Sequence, residues 1–194
     1  MKVAIDIRCA SPQAWVDAVM QDFDSFLQDH ADCERKASAM AMSLVAKYPD
    51  RVEIIPPLIE TALEEMEHFR DVYAIMEARG VQLSKEMTKD PYIQRLRTYM
   101  KSGIEAQFLD RLLLGSVVEC RGAERFRLIY QALEPGDLKR FYHHLWASEA
   151  KHGNIFVELA LKYFPQDQVY QRLDQLMDGE AKVVQQLEIR PALH

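Results

Sequence analysis

The chain has 194 residues, of which 48% are apolar, and a formal net charge of −6. This composition suits a folded domain with a sizeable core and excludes a disordered chain, while the mild acidity gives no overall attraction to nucleic acid. No apolar run reaches the ~18 residues that a membrane span needs. Three scattered cysteines without a C-x-x-C pair argue against rubredoxin-type and zinc-ribbon sites. We therefore expect one cytoplasmic domain over residues 1–194.

Helical periodicity dominates the chain. Ser11-Pro12 predicts the start of a helical region that extends to about Lys47. We expect a break in this region near residues 28–30. A second helix is predicted from about Val52 to Arg79, with Gly80 as its C-terminal stop. Further helices are predicted over about 91–102, 104–133, 137–163 and 166–187, and a short strand over 2–7.

Two parts of the chain repeat one pattern, a lone glutamate followed by a Glu-x-x-His pair. The pair begins 31 residues after the lone glutamate in the first copy and 30 residues after it in the second. Residues three apart lie on one helix face, so each pair can address one cavity. The pattern matches the ligand set of a dinuclear metal site in a four-helix bundle. The predicted metal ligands are Glu34, Glu65, His68, Glu119, Glu149 and His152.

The midpoint of each copy falls on a predicted turn, Tyr48-Pro-Asp-Arg51 in the first and Glu134-Pro-Gly-Asp137 in the second. In an antiparallel hairpin, residues equidistant from the turn lie at the same height along the two helices. The lone glutamate and the first glutamate of the pair are each about 15 residues, or roughly 22 Å, from their turn. Their neighbours one turn away are mostly small or apolar. A buried carboxylate is costly unless it is paired or metal-bound, so a salt-bridged polar core is the alternative.

Carboxylate oxygens with two imidazoles suit iron, or manganese, better than copper or zinc. We predict two iron ions, with O2 as co-substrate and no catalytic side chain beyond the ligands. Glu65 and Glu149 are the bridging candidates, and Glu34 and Glu119 the unpaired ligands. His30, one turn before Glu34, is interpreted as a hydrogen-bond partner or surface residue rather than a ligand.

Other side chains have plainer interpretations. The basic residues are expected on solvated helix faces paired with nearby acids, or alternatively on a phosphate-contacting surface. They are Arg95, Arg97, Lys101, Arg111, Arg121, Arg125, Arg127, Lys139 and Arg140. Three histidines, His143, His144 and His194, are interpreted as surface or loop residues, and Tyr142, Trp146, Phe69 and Phe126 as core.

Three local sequences resemble the tRNA hydroxylases that act on 2-methylthio-isopentenyladenosine: VECRGAERF at 118–126, EEMEH at 64–68 and SEAKH at 148–152. The resemblance extends over about residues 11–190, although the ligand pattern alone is common to the ferritin-like class. The chain departs from the family pattern at Cys120-Arg-Gly-Ala123 and at Lys151, which are not ligand positions.

The resemblance implies an all-α, ferritin-like four-helix bundle with a long crossover and extra helices. It implies a non-haem diiron monooxygenase that hydroxylates the isopentenyl group of the modified adenosine beside the anticodon of tRNA. A separate protein would donate electrons, because the sequence has no flavin, nicotinamide or iron–sulfur motif. Two alternatives stay open: a ferritin-like iron-handling protein (ferroxidase, storage or peroxide removal) and a metal-free helical interaction module.

Overall fold

The computed structural model describes residues 7–85 and 90–194. This part of the chain is all helical, which confirms the predicted fold class. Its helices are α1 (Gln13–Gln21), α2 (Phe23–Lys47), α3 (Ile55–Arg79), α4 (Pro91–Arg97), α5 (Ile104–Ala132), α6 (Asp137–Leu161) and α7 (Gln166–Gln186). The predicted strand at 2–7 lies, apart from residue 7, outside the described residues. No described helix is long and apolar enough to cross a membrane.

Most helix ends follow the predicted local signals. α3 has proline in its first turn and ends at Gly80, whose φ of 72° is the left-handed conformation that glycine adopts readily. The first helical region breaks at Asp22 rather than near residues 28–30, because the Asp22 side chain accepts a hydrogen bond from the backbone N–H of Ser25 and caps α2. α4 ends at Arg97, earlier than the predicted residue 102.

The described residues form two compact units. One unit contains residues 17–85 and 190–193, and its main feature is the hairpin of α2 and α3. Both helices bury an apolar face that includes Phe26, Leu27, Leu58 and Val72, together with polar residues from the repeat.

The other unit contains residues 7–16, 90–189 and His194, and α5 is its central helix. α5 packs against α6 along the second hairpin and also against α7, while α4 packs on α7. Because two neighbours cover it, α5 is buried on more than one face, including Phe108, Leu112, Val117 and Phe126.

A buried ion network joins α5 to α7 and to the segment before α1. Arg121 is 0% exposed, and its Nε and Nη2 donate to the two carboxylate oxygens of Glu180 at 2.7 and 3.0 Å. Its Nη1 donates to Glu124 at 3.0 Å, and Nη2 also donates to the carbonyl oxygen of Cys9 at 2.7 Å. Burial acts to lower the pKa of Arg121, but the hydrogen bonds and negative charge of Glu180, together with the charges of Tyr92 and Glu124, outweigh that effect and raise the pKa.

The network corrects the interpretation of two basic residues. Arg121 and Arg125 are buried rather than solvated, so neither can contact a phosphate. Arg125 donates to Ser11 Oγ at 3.1 Å and lies over the ring of Trp15. Burial, reinforced by the positive charge of Arg121, lowers the pKa of Arg125 to about 10.

His194 is also more buried than the sequence suggests. It lies in a loop as predicted, but its ring stacks on Tyr92 with 4.9 Å between centroids and its side chain is only 7% exposed. Burial lowers the pKa of His194 to about 4, so the imidazole is neutral near pH 7. By contrast, His143 and His144 are exposed on α6, as predicted.

Candidate metal centre

The hairpin of α2 and α3 brings together the three predicted ligands of the first copy, here called the α2–α3 triad (Glu34, Glu65 and His68). One ligand atom from each residue lies within 4.8 Å of the other two. His68 Nδ1 is 3.3 Å from Glu65 Oε2 and 3.8 Å from Glu34 Oε2. Glu34 and Glu65 therefore lie level, as their equal distance from the turn predicts.

His30 contacts this triad from within α2. It is fully buried, and its Nε2 lies 2.6 Å from Glu34 Oε1. That hydrogen bond holds one oxygen of Glu34 in place and leaves the other, Oε2, facing His68. The contact agrees with the interpretation of His30 as a hydrogen-bond partner of a ligand.

The hairpin of α5 and α6 brings together the second copy, the α5–α6 triad (Glu119, Glu149 and His152). Again one ligand atom from each residue lies within 4.8 Å of the other two. His152 Nδ1 is 3.5 Å from Glu149 Oε2, matching the Glu-x-x-His geometry of the other hairpin. All three residues are buried.

The two triads differ in their access to solvent. The His68 side chain is 15% exposed, whereas that of His152 is 0% exposed. All four glutamates are buried. Bulk water cannot solvate the charge of a buried carboxylate, so these glutamates need a positive partner inside the protein. Carboxylate oxygens and an imidazole nitrogen within 4.8 Å of one another suit a hard or borderline cation such as iron or manganese. The residues present therefore fit the predicted metal.

A buried serine connects the two helices of each hairpin close to its triad. Ser38, one turn after Glu34, donates to the carbonyl oxygen of Ala62 at 2.8 Å. Ser116, one turn before Glu119, donates to the carbonyl oxygen of Gly153 at 2.7 Å. Each bond fixes the register of two helices within about one turn of their ligands. Sequence reasoning did not foresee these two hydrogen bonds, because each joins residues far apart in sequence.

α5 and α6 also approach closely beside the α5–α6 triad. A Cβ on Gly153 would lie 2.8 Å from Cys120 Sγ, so only glycine fits without movement. Burial raises the pKa of the Cys120 thiol to about 12, so it is protonated and packs as a small apolar group. Cys120 therefore has a structural role in the packing of α5 against α6.

Relative to Gly122→Ala, Gly153→Ala should lower the free energy of unfolding by about 1–3 kcal/mol, because its Cβ overpacks the α5–α6 contact. Gly122 is the matched control, since it lies in a helix and its Cβ would meet nothing within 4 Å. Urea unfolding followed by circular dichroism measures both variants. Adding Cys120→Ala to Gly153→Ala should restore most of the loss, and equal stability of the two glycine variants would contradict the predicted overpacking.

Comparison with known proteins identifies the family. Residues 2–194 match the family model described as tRNA-(MS[2]IO[6]A)-hydroxylase (MiaE). A relative from Pseudomonas putida, named tRNA 2-(methylsulfanyl)-N(6)-isopentenyladenosine(37) hydroxylase, is 32% identical over 177 residues, covering 91% of this chain and 85% of the relative. A protein of the same name from Salmonella typhimurium is 26% identical over 210 residues, covering 83% and 77%.

A solved structure shares the fold. Protein 43 with aldehyde deformylating oxygenase activity from Synechococcus has a TM-score of 0.88 and 30% identity, covering 95% of this chain and 92% of that chain. The likeness agrees with the ferritin-like fold predicted from the sequence. With the family model matching nearly the whole length, we conclude that this chain belongs to the tRNA-(MS[2]IO[6]A)-hydroxylase family.

Proposed function

We propose that this protein is an O2-dependent diiron monooxygenase that hydroxylates the isopentenyl group of 2-methylthio-isopentenyladenosine in tRNA. The observation that carries the proposal is the family match over residues 2–194, on a chain whose two hairpins each hold a Glu, Glu and His triad with its glutamates buried. The relatives named as hydroxylases of this nucleoside support the same substrate.

We propose that the six residues of the two triads hold two iron ions, with manganese as the alternative. When bound, the two ions would bind O2 and pass to it the electrons received from a donor protein, which is the chemistry that hydroxylation of a methyl C–H bond requires. Glu65 and Glu149 would supply carboxylate oxygens, and His68 and His152 would each bind one ion. The close approach of three ligand atoms within each hairpin supports this assignment.

The rest of the chain would hold these ligands in place. His30 orients the Glu34 carboxylate, and Ser38 and Ser116 hold the helices in register beside the triads. Leu27, Leu58 and similar buried side chains in the same helices exclude bulk water from the ligand faces. A dry, fixed ligand set favours controlled oxidation of a bound substrate over side reactions with solvent.

The proposal also names partners and location. Electrons would come from a separate donor protein, since this sequence carries no redox cofactor motif besides the triads. The RNA partner is tRNA with a prenylated adenosine beside the anticodon, which places the protein in the cytoplasm. We further propose that residues 1–194 act as one ferritin-like domain.

The test is a reaction of iron-loaded protein with a chemical reductant, O2 and prenylated tRNA, followed by digestion and mass spectrometry of the nucleosides. We expect a product heavier by one oxygen atom, labelled when 18O2 is supplied. Unprenylated tRNA is the matched control and should yield no such product. Iron-loaded protein that turns over Fe(II) or peroxide, but leaves prenylated tRNA unchanged, would favour the iron-handling alternative.

A further inference from the structure

We propose that a cluster of aromatic and basic side chains at the α5–α6 turn binds unpaired bases of the tRNA anticodon loop by stacking. This inference rests on the proposed function, because it names the surface by which that function would hold its RNA. The cluster, here called the α5–α6 patch, consists of Arg127 and Tyr130 on α5 and Lys139, His143 and Trp146 on α6.

Tyr130 is the centre of the patch. Its ring lies 6.1 Å from that of Trp146 with an interplanar angle of 27°, and 5.0 Å from that of His143. The Lys139 Nζ lies 5.2 Å from the Tyr130 centroid, in a cation–π contact. His143 and Trp146 meet edge-on at 5.8 Å. Three rings and one ammonium group thus form a continuous surface across the hairpin.

The patch is accessible to solvent. Tyr130, Lys139 and Trp146 are half-buried, and Arg127 and His143 are exposed. This corrects the interpretation of Trp146 as a core residue. Next to the patch, Phe126 and Tyr142 are 1% and 0% exposed and pack together with 5.7 Å between centroids. Because these two rings already fill the interior at this level, the patch is not needed to close the core.

The charges near the patch favour unpaired bases over a duplex backbone. Arg127, Lys139 and Arg140 supply positive charge, but Arg140 pairs with Asp137, and Lys139 also donates to the carbonyl oxygen of Leu133 at 2.7 Å. The whole chain is acidic, with a net charge of −6. Few cations are left for phosphates, so the aromatic faces carry most of the recognition, as in proteins that bind single-stranded RNA.

The position of the patch suits a substrate held at the α5–α6 triad. Trp146 lies one helical turn before Glu149, a metal ligand in the proposed function. Tyr130 is 11 residues beyond Glu119, or roughly 16 Å along α5. The proposal places a loop base on Tyr130 and a neighbouring prenylated adenosine on the side of the patch where Trp146 approaches Glu149 along α6.

The test measures binding of a fluorescently labelled, prenylated anticodon stem-loop RNA to the full chain by anisotropy. Tyr130→Ala should weaken binding about 10-fold, which corresponds to about 1.4 kcal/mol. Tyr130→Phe should bind like wild type, because stacking uses the ring and not the hydroxyl. Tyr170→Ala, which removes another half-buried tyrosine on α7, is the matched control and should also bind like wild type.

Salt dependence separates stacking from charge. Arg127→Ala should reduce the slope of log affinity against log salt by about 0.7, the value for one phosphate contact with single-stranded nucleic acid. Tyr130→Ala should leave that slope unchanged. A general loss of structure would instead alter both the affinity and the slope. Circular dichroism checks that each variant remains helical.

Two results would contradict the proposal that the α5–α6 patch binds RNA. Wild-type affinity in Tyr130→Ala would do so, and so would an equal loss of affinity in Tyr170→Ala. If wild-type protein hydroxylates prenylated tRNA while Tyr130→Ala retains full affinity, the patch is wrong and the proposed function stands. If wild-type protein neither binds nor hydroxylates that RNA, the proposed function and the patch both fail.

Discussion

His152→Ala should lower the iron content of the purified protein and reduce hydroxylation of prenylated tRNA more than 100-fold, while α5 and α6 still form. Replacing a partner that only orients a ligand typically costs 10–100-fold in metal affinity or activity, so loss of a ligand itself should cost more than about 100-fold. The fold should persist because the α5–α6 contacts around Ser116 and Gly153 do not involve the imidazole.

Iron per chain can be measured by plasma mass spectrometry after iron loading, and helix content by circular dichroism. The matched control is His144→Ala, since His144 lies on the same helix but is exposed. The control should retain the wild-type iron content. Equal iron content in His152→Ala and wild type would refute the assignment of His152 as a ligand, whatever the activity.

Arg121→Ala should lower the free energy of unfolding by about 3–5 kcal/mol, because it leaves the buried Glu180 without its ionic partner. Glu180 is 0% exposed and would retain only its hydrogen bond from Tyr92, at 3.2 Å, among the contacts described above. For a chain of this size the loss corresponds to a melting temperature lower by on the order of 10 °C. Thermal unfolding followed by circular dichroism measures the shift.

The matched control is Arg97→Ala, at the end of α4, where the side chain is exposed and a change within about 0.5 kcal/mol is expected. The double variant Arg121→Met with Glu180→Leu should be more stable than Arg121→Ala, because it removes the charges of Arg121 and Glu180 together, while Glu124 keeps its hydrogen bonds from Ser11 in both variants. If Arg121→Ala melts at the wild-type temperature, the buried ion pair does not contribute as described.

Local sequence signals determined most of the secondary structure of this protein. Helix periodicity, the Gly80 stop and the two turns place the end of α2 and both ends of α3, α5 and α6 within a few residues of those observed. These signals act over a few residues, and the chain carries them explicitly. The sequence places the first helix break near residues 28–30 instead of at Asp22, because the periodic pattern continues through Asp22. The break depends on one hydrogen bond, in which the Asp22 side chain accepts from the backbone N–H of Ser25.

The grouping of the repeated glutamate and Glu-x-x-His residues within each hairpin could also be predicted from the sequence. Spacing along a helix sets the face, and distance from the turn sets the height, so both triads could be derived by counting residues. His30 followed from the same counting, one turn before Glu34. Residue spacing does not predict whether these residues bind iron, and the His152→Ala experiment tests that binding.

The sequence by itself determined the helices, the hairpins and the level of the glutamates and histidine within each hairpin, because these depend on spacing along the chain. Only the tertiary structure decided which charged and aromatic side chains are buried. Arg121 is separated by 59 residues from Glu180, and this distant partner converts an expected surface arginine into a core ion pair. The same holds for the half-buried Trp146 beside Tyr130, because burial depends on neighbours that folding brings together from distant parts of the chain.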